Sequence, residues 1–371
     1  MTRRRGMLAA LCALAVLGAA ERIVTRVGAT TQAGAGVPAF DVDPRWPTLP
    51  AQWTLGQVTG VAVDASDHVW VLHRPWSLTD DEKAQNPEAA CCTAAPPVLE
   101  FDAAGRYLRG WGGPGAGYEW PEDEHAIHVD HKRNVWITSA GGPRLRDGKE
   151  NMILKFTSDG RVLLQIGKRG QSRGSLDTAN VNNAADVYVD PKSNELYVAD
   201  GYVNRRVIVY DADTGAFKRM WGAYGKPPDD AASKTVTYDG PAPAQFNLVH
   251  GVRVSNDGQV YVNDRRNNRM QVFSTAGVFE REIFIERTTR LLGTSFAVGF
   301  SPDAAQRYLY LADAGSGKVR IYDRASLTEV SSIGRIGRYA GQFIFLHALA
   351  VDSRGDLYTA EVGTGLSLIH I

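Results

Sequence analysis

The sequence predicts an all-β fold, a six-bladed propeller whose last blade is unfinished. Three observations predict it. From Trp53 onward the chain repeats short β-rich strands separated by polar, Gly-containing turns. The repeat recurs six times, with four strands per unit in most copies, and four radially arrayed strands make a propeller blade. No segment of the repeat region carries a long helical period.

The elements follow in order. Arg3, Arg4 and Arg5 precede an apolar run from Met7 to Ala20 that ends in small residues. That pattern predicts a secretory signal peptide over residues 1–20, with an uncleaved anchor as the alternative. The run is too short and wrongly flanked for a membrane span. Its arginines permit twin-arginine export, and Cys12 lacks the small residues that precede a lipid-attachment site. The expected location is periplasmic or extracellular, with no membrane partner after cleavage. Residues 21–52 form an N-terminal extension, and residues 53–365 the propeller.

Six segments read as innermost strands: TGVAVD (59–64), HAIHVD (125–130), ADVYVD (185–190), HGVRVS (250–255), FAVGFS (296–301) and HALAVD (347–352). Second strands follow at HVWVLH, NVWITS, ELYVAD, QVYVND, YLYLAD and DLYTAE; third strands such as RVIVYD and KVRIYD follow in five repeats. After Glu361 the sequence VGTGLSLIHI departs from the repeat. Residues 366–371 are read as a non-native tail, the natural chain is expected to continue, and His370 has no role. A blade without its outer strands would expose a sheet edge.

Turns between strands one and two, and three and four, are short. Connections between strands two and three, and between blades, are often long: Arg74–Pro97, Gly112–Glu124, Gly167–Asn183 and Ala223–Asn247. In an up-and-down blade these alternate ends, so the long loops share the face where innermost strands begin. Loops on a rigid scaffold are where function usually sits.

Composition narrows the partners. The 371 residues carry 41 Lys+Arg and 41 Asp+Glu, so no basic field exists to collect phosphates, and nucleic acid is not an expected partner. Removing the three signal arginines leaves 38 basic against 41 acidic residues. A monomer with a small-molecule or peptide-like substrate is expected. Only Cys91 and Cys92 remain after cleavage. In an oxidising compartment they are read as a vicinal disulfide, a strained ring, against the alternative of two free thiols.

Three of the eight histidines occupy one repeat position in alternate repeats: His125, His250 and His347, each five residues before the small polar residue that ends its strand. The intervening repeats place Thr59, Ala185 and Phe296 in that column. Alternate blades of six stand about a third of a turn apart, and the innermost strand lines the central channel. The three imidazoles therefore converge on the axis. Three protein ligands with an open position make a catalytic-type zinc site. The alternative for any one histidine is a mere strand cap. His128 is an odd step from His125 and is expected on the other face of its strand. It is read as structural, as are His131 and His68.

Arg74 lies four residues past Trp70, and Arg265 four past Tyr261, both at second-strand ends on the histidine face. Arginine binds carboxylate bidentately. Blade three carries Gly201 and Tyr202 at that edge, and a phenol there can serve as a base.

DGYVNRRVIVYD (200–211) resembles an NHL-type repeat. The chain from about Thr54 to Glu361 resembles the peptidyl-α-hydroxyglycine α-amidating lyases, a family of six-bladed propellers holding zinc by one histidine at the head of alternating inner strands. The resemblance places His125, His250 and His347 as zinc ligands. GVAVDASDHVWVLHR implies a functional arginine at Arg74, DGYVNRR the catalytic tyrosine at Tyr202, and NDRRNNRMQVF the second arginine at Arg265. The chain departs from the family at Ala348, where an acidic residue helps hold calcium, which counts against Ca2+. It departs also at Phe345, a Met in the family, and at Val203, Val262 and Val272, where the family has paired cysteines. No stretch of the 371 residues reads as a copper monooxygenase domain, and the CC-bearing loop (75–97) is not the animal enzyme's. A divergent bacterial branch is expected.

The leading expectation is an exported zinc lyase cleaving a C–N bond at an α-hydroxyglycine-like centre to give an amide and glyoxylate. The alternative is a non-catalytic NHL propeller that binds a peptide, glycan or protein on its long-loop face. A lactonase-like hydrolase is a third reading; such sites use mainly carboxylates and Asn, unlike a histidine-only axis.

Overall fold

The computed structural model describes residues 36–82, 92–140, 149–233, 235 and 238–363, and the backbone of 368–370. The expected signal peptide (1–20) and Cys91 lie outside these residues. The chain divides into two compact units, Met1–Asp41 and Val42–Ile371; residues 36–41 of the first carry no strand. The second unit carries all the repeats. No helix among the described residues is long and apolar enough to cross a membrane.

Five four-stranded antiparallel sheets form the blades. Blade 1 comprises Gln57–Val63, Val69–Arg74, Val98–Phe101 and Tyr107–Trp111. Blade 2 comprises Glu124–Val129, Val135–Ser139, Met152–Phe156 and Val162–Gly167. Blade 3 comprises Asp186–Asp190, Glu195–Asp200, Arg206–Asp211 and Phe217–Trp221. Blade 4 comprises Val249–Val254, Gln259–Asp264, Arg269–Ser274 and Phe279–Phe284. Blade 5 comprises Ala297–Phe300, Tyr308–Asp313, Lys318–Asp323 and Thr328–Ile333. The fold is thus an NHL-type β-propeller with five complete blades rather than six. The sixth repeat forms a three-stranded sheet, Leu346–Val351, Leu357–Glu361 and Leu368–His370, truncated relative to the others. Part of the segment read as a tail (368–370) pairs there through its backbone, Tyr358 opposite His370. The first strands touch their neighbours in a closed ring, that of the sixth sheet packing against both blade 5 and blade 1.

The core is distributed between neighbouring blades. Val207 and Val209 of blade 3 pack on Val252, Val254, Val260 and Val262 of blade 4. Trp136 of blade 2 packs on Val187, Val189 and Leu196 of blade 3. β-Branched residues suit these pleated faces, which are covered on both sides. Residues ahead of blade 1 join the same body: the Trp46 ring lies 4.9 Å from Tyr358 and 5.9 Å from Phe101, linking the sixth sheet to blade 1.

Two polar devices recur among the blades, the second in blades 3, 4 and 5. The small polar residue ending the first strand holds the turn. Asp64 Oδ1 accepts from Ser66 and His68 N–H, Asp130 Oδ1 from Lys132 and Asn134, and Asp352 Oδ1 from Arg354 and Asp356. The other carboxylate oxygen receives the second-strand aromatic, as Trp136 Nε1 donates to Asp130 Oδ2 at 3.0 Å. In blades 4 and 5, Ser255 and Ser301 Oγ accept from Gln259 and Tyr308 N–H instead. The second device is an ion pair between strands two and three: Arg206 with Asp200 (2.8 Å), Arg269 with Asp264 (2.8 Å) and Arg320 with Asp313 (2.7 Å). The first two are wholly buried.

Removing one partner of a buried pair leaves an uncompensated charge, at a cost of roughly 3–5 kcal/mol. Asp264→Ala should therefore lose about that much stability in urea denaturation.

Candidate metal centre

The innermost strands of blades 1, 2 and 4 and of the sixth sheet each break register at the histidine column. The slips fall between Val58 and Gly60, Glu124 and Ile127, Val249 and Gly251, and Leu346 and Ala348. A bulge leaves a residue unpaired and re-aims its side chain. Here the residues so placed are Thr59, His125 with Ala126, His250 and His347.

Each histidine then makes the same bond to the next repeat. Nδ1 of His125 reaches the Ala185 carbonyl (2.6 Å), that of His250 the Phe296 carbonyl (2.9 Å) and that of His347 the Thr59 carbonyl (2.7 Å). A carbonyl only accepts, so Nδ1 carries the hydrogen and each Nε2 presents a lone pair. The rings meet edge to face, with centroids 5.1 Å apart for His125–His250, 4.6 Å for His125–His347 and 4.8 Å for His250–His347. One ligand atom from each lies within 4.8 Å of the others. Burial holds the His125 and His250 imidazoles well below the ordinary histidine pKa, and burial brings His347 to about 3. The neighbouring histidines, Arg74 and Arg265 push in the same direction. The rings are therefore neutral at pH 7, the form a metal binds. Three buried neutral imidazoles of matched tautomer fit a metal ion, and an all-nitrogen set suits zinc among several transition metals.

The two arginines and the tyrosine join this centre. The Tyr202 hydroxyl lies 2.9 Å from His125 Nε2 and 3.4 Å from His250 Nε2. Arg265 Nη1 donates to the Tyr202 oxygen (3.2 Å), and its Nε is anchored on the Leu292 carbonyl (2.7 Å). Its guanidinium lies 4.0 Å from the centroid of Phe296, the residue of blade 5 in the histidine column. Gly201 makes the tyrosine's placement possible: a Cβ there would stand 2.1 Å from Val249 N and O, on the strand that carries His250. Arg74 donates to the carbonyls of Glu124 (2.9 Å) and Ala140 (3.3 Å) and to Gln57 Oε1 (3.2 Å). Neither buried arginine has a carboxylate within ion-pair distance among the described residues, although the charges of Asp123 and Glu124 act on Arg74. Such charges favour an anionic guest.

Sequence reasoning missed part of the surroundings. Trp76 and Trp120, from two different long connections, donate to the two oxygens of Glu124 beside His125 (3.1 and 2.8 Å). Asp186 and Arg253 pair in the wall below the histidines. His128 was expected on the opposite face from His125, and this is corrected: it too lies against blade 3, its ring 5.0 Å from Tyr188. The bulge at His125 changes the strand's phase, so an odd step keeps the side. A second histidine–carboxylate group, Asp64, His68 and Glu100, lies elsewhere, its carboxylates engaged by Arg109 and Arg133. Cys92 is disulfide-bonded.

The NHL repeat family matches residues 246–273. That stretch carries His250 and Arg265. Human NHL repeat-containing protein 3 is 27% identical over 335 residues, covering 87% of this chain and 82% of that protein. Peptidyl-glycine alpha-amidating monooxygenase B of Xenopus laevis is 25% identical over 271 residues, 71% of this chain but 27% of that protein. A probable peptidyl-alpha-hydroxyglycine alpha-amidating lyase of Caenorhabditis elegans is 22% identical over 330 residues, covering 83% and 80%. The chain is thus distantly homologous to an NHL repeat-containing protein and to two proteins named for amidation, all three from animals.

Two outcomes test the centre. Purified protein supplemented with zinc should bind one ion, and His250→Ala should lose most of it, as read by elemental analysis after dialysis. In metal-free protein, unfolded histidines protonate near pH 6.5 while the buried ones resist. Their contribution is therefore full above that pH and drains as pH falls below it. The unfolding midpoint should drop between pH 7.5 and 5.5, and less steeply when all three histidines are replaced.

Proposed function

We propose that the chain is a zinc-dependent carbon–nitrogen lyase of the amidating type, acting on an α-hydroxyglycine-like substrate to give an amide and glyoxylate. The observation that carries this reading is the convergence of three Nε2 lone pairs, the Tyr202 hydroxyl and the Arg265 guanidinium in one buried centre. A metal on His125, His250 and His347 would polarise the substrate hydroxyl and lower its pKa. Arg74 and Arg265 would hold the carboxylate end. Tyr202, acting as the phenolate after giving its own proton to solvent, would take the hydroxyl proton and become a phenol. The C–O electron pair then closes a carbonyl, the C–N bond breaks, and the nitrogen leaves as primary amide with that proton. The atoms of the substrate are fully divided between amide and glyoxylate.

Export fits the chemistry of the chain. Arg3–Arg5 ahead of an apolar run support a signal, and the disulfide at Cys92 suits an oxidising compartment.

Incubation of zinc-loaded protein with an N-acyl-α-hydroxyglycine should release glyoxylate and primary amide in equal amounts. Tyr202→Phe should lower kcat by about 10²–10⁴-fold, the usual range for a lost proton-transfer group. Absence of glyoxylate from metal-replete protein would reject the lyase assignment. The rival reading, a non-catalytic scaffold binding a peptide, glycan or protein, draws support from the broad match to NHL repeat-containing protein 3. It requires ligand capture to persist when all three histidines become alanine.

A further inference from the structure

The axis holds a second chamber that the proposed chemistry does not use. It contains about 620 Å³ of empty space, part of it open to solvent, and shares Val61 and Arg253 with the cavity around the histidines. Its wall includes the residue three places past every histidine-column position: Ala62, His128, Tyr188, Arg253, Gly299 and Ala350. Blades 2, 3 and 4 supply a polar arc of His128, Tyr188 and Arg253. The remaining positions are Ala or Gly, which leaves room facing that arc.

Each polar group keeps some hydrogen-bonding capacity unused. His128 Nε2 is buried and makes no hydrogen bond. Arg253 uses Nη1 on the Asp186 carboxylate and the Val252 carbonyl, while its Nε and Nη2 make no hydrogen bond among the described residues. The Tyr188 hydroxyl likewise makes none there, and the Arg253 guanidinium lies 5.7 Å from the Tyr188 ring centroid. Burial keeps Tyr188 protonated, its pKa pushed up to about 12, so the phenol is a donor. Asp186, the nearby acid, lines the histidine cavity rather than the chamber. The rest of the wall mixes one amide, Gln306, with the apolar side chains of Val63, Val298, Phe300, Leu349 and Val351. A hollow that sets converging donors opposite apolar side chains has the make-up of a small-molecule site.

We propose that this chamber binds a small organic carboxylate with an apolar tail. The free guanidinium edge of Arg253 and the Tyr188 hydroxyl take the carboxylate, and Phe300, Val63 and Val351 take the tail. The unused donors of Arg253 and Tyr188 favour an acceptor group, and Val63, Phe300 and Val351 favour a guest with an apolar part. The site is separate from the lyase reading: Arg253 touches both cavities, but Tyr188 and His128 line the chamber alone.

Hexanoate and hexanamide, titrated into the full chain by calorimetry, test it. Hexanoate should bind saturably, and hexanamide at least tenfold more weakly. Tyr188→Phe, which keeps the ring, and Ala350→Leu, which fills the hollow, should each weaken hexanoate at least tenfold. His250→Ala should leave it unchanged. Equal binding of acid and amide overturns the proposal, as does no binding at all. So does a hexanoate affinity lost in His250→Ala but retained in Tyr188→Phe, which would place the acid among the histidines. Unfolding midpoints of the variants report whether each is folded; the near-isosteric Tyr188→Phe carries the test should Ala350→Leu fail.

Discussion

The ring of inner strands closes through a hydrogen bond between residues far apart in sequence, His347 Nδ1 to the Thr59 carbonyl at 2.7 Å. The same bond recurs from His125 to Ala185 and from His250 to Phe296. In each case a histidine in one repeat donates to the corresponding residue of the next. One interaction therefore does two things. It helps join neighbouring blades at the axis, and it turns each Nε2 toward the same point. A buried imidazole without that partner would cost free energy and would be free to change tautomer. The alternation of histidine with a carbonyl-presenting residue is what makes a three-ligand centre compatible with a six-repeat ring.

Rigidity around this ring comes from the blades themselves. The strand-ending Asp or Ser residues pin the turns at one end, and buried Asp–Arg pairs pin strands two and three near the other. The long connections are then free to vary. Their aromatic donors Trp76 and Trp120 converge on Glu124, next to His125, so loops of unrelated sequence are tied to the centre through a single carboxylate.

Much of this was legible in the sequence. The repeat pattern gave strand order and the shared column of His125, His250 and His347, because a fixed repeat converts sequence spacing into an angle about the axis. Arg74, Tyr202 and Arg265 were legible through their place at second-strand ends. His128 was misplaced because a bulge changes the two-residue period locally, and nothing in the residue types announces it. The sequence reads as six repeats with the last unfinished; the structure has five full blades, and the sixth repeat forms only a three-stranded sheet because the residues after Glu361 do not continue the repeat. The chamber beyond the histidines was not seen, although its six positions share one column, because His128, Tyr188 and Arg253 are ordinary strand residues until the ring brings them side by side.

The sequence by itself determined the all-β repeat architecture, the strand order and the axial register of the histidines. These depend on local periodicity and on a column repeated in one chain. Only the tertiary structure decided the tautomer of each imidazole, the facing of His128 and the approach of Tyr202 to two histidines across the missing Cβ of Gly201. Those depend on backbone slips of one residue and on contacts between blades, which side-chain order along the chain does not encode.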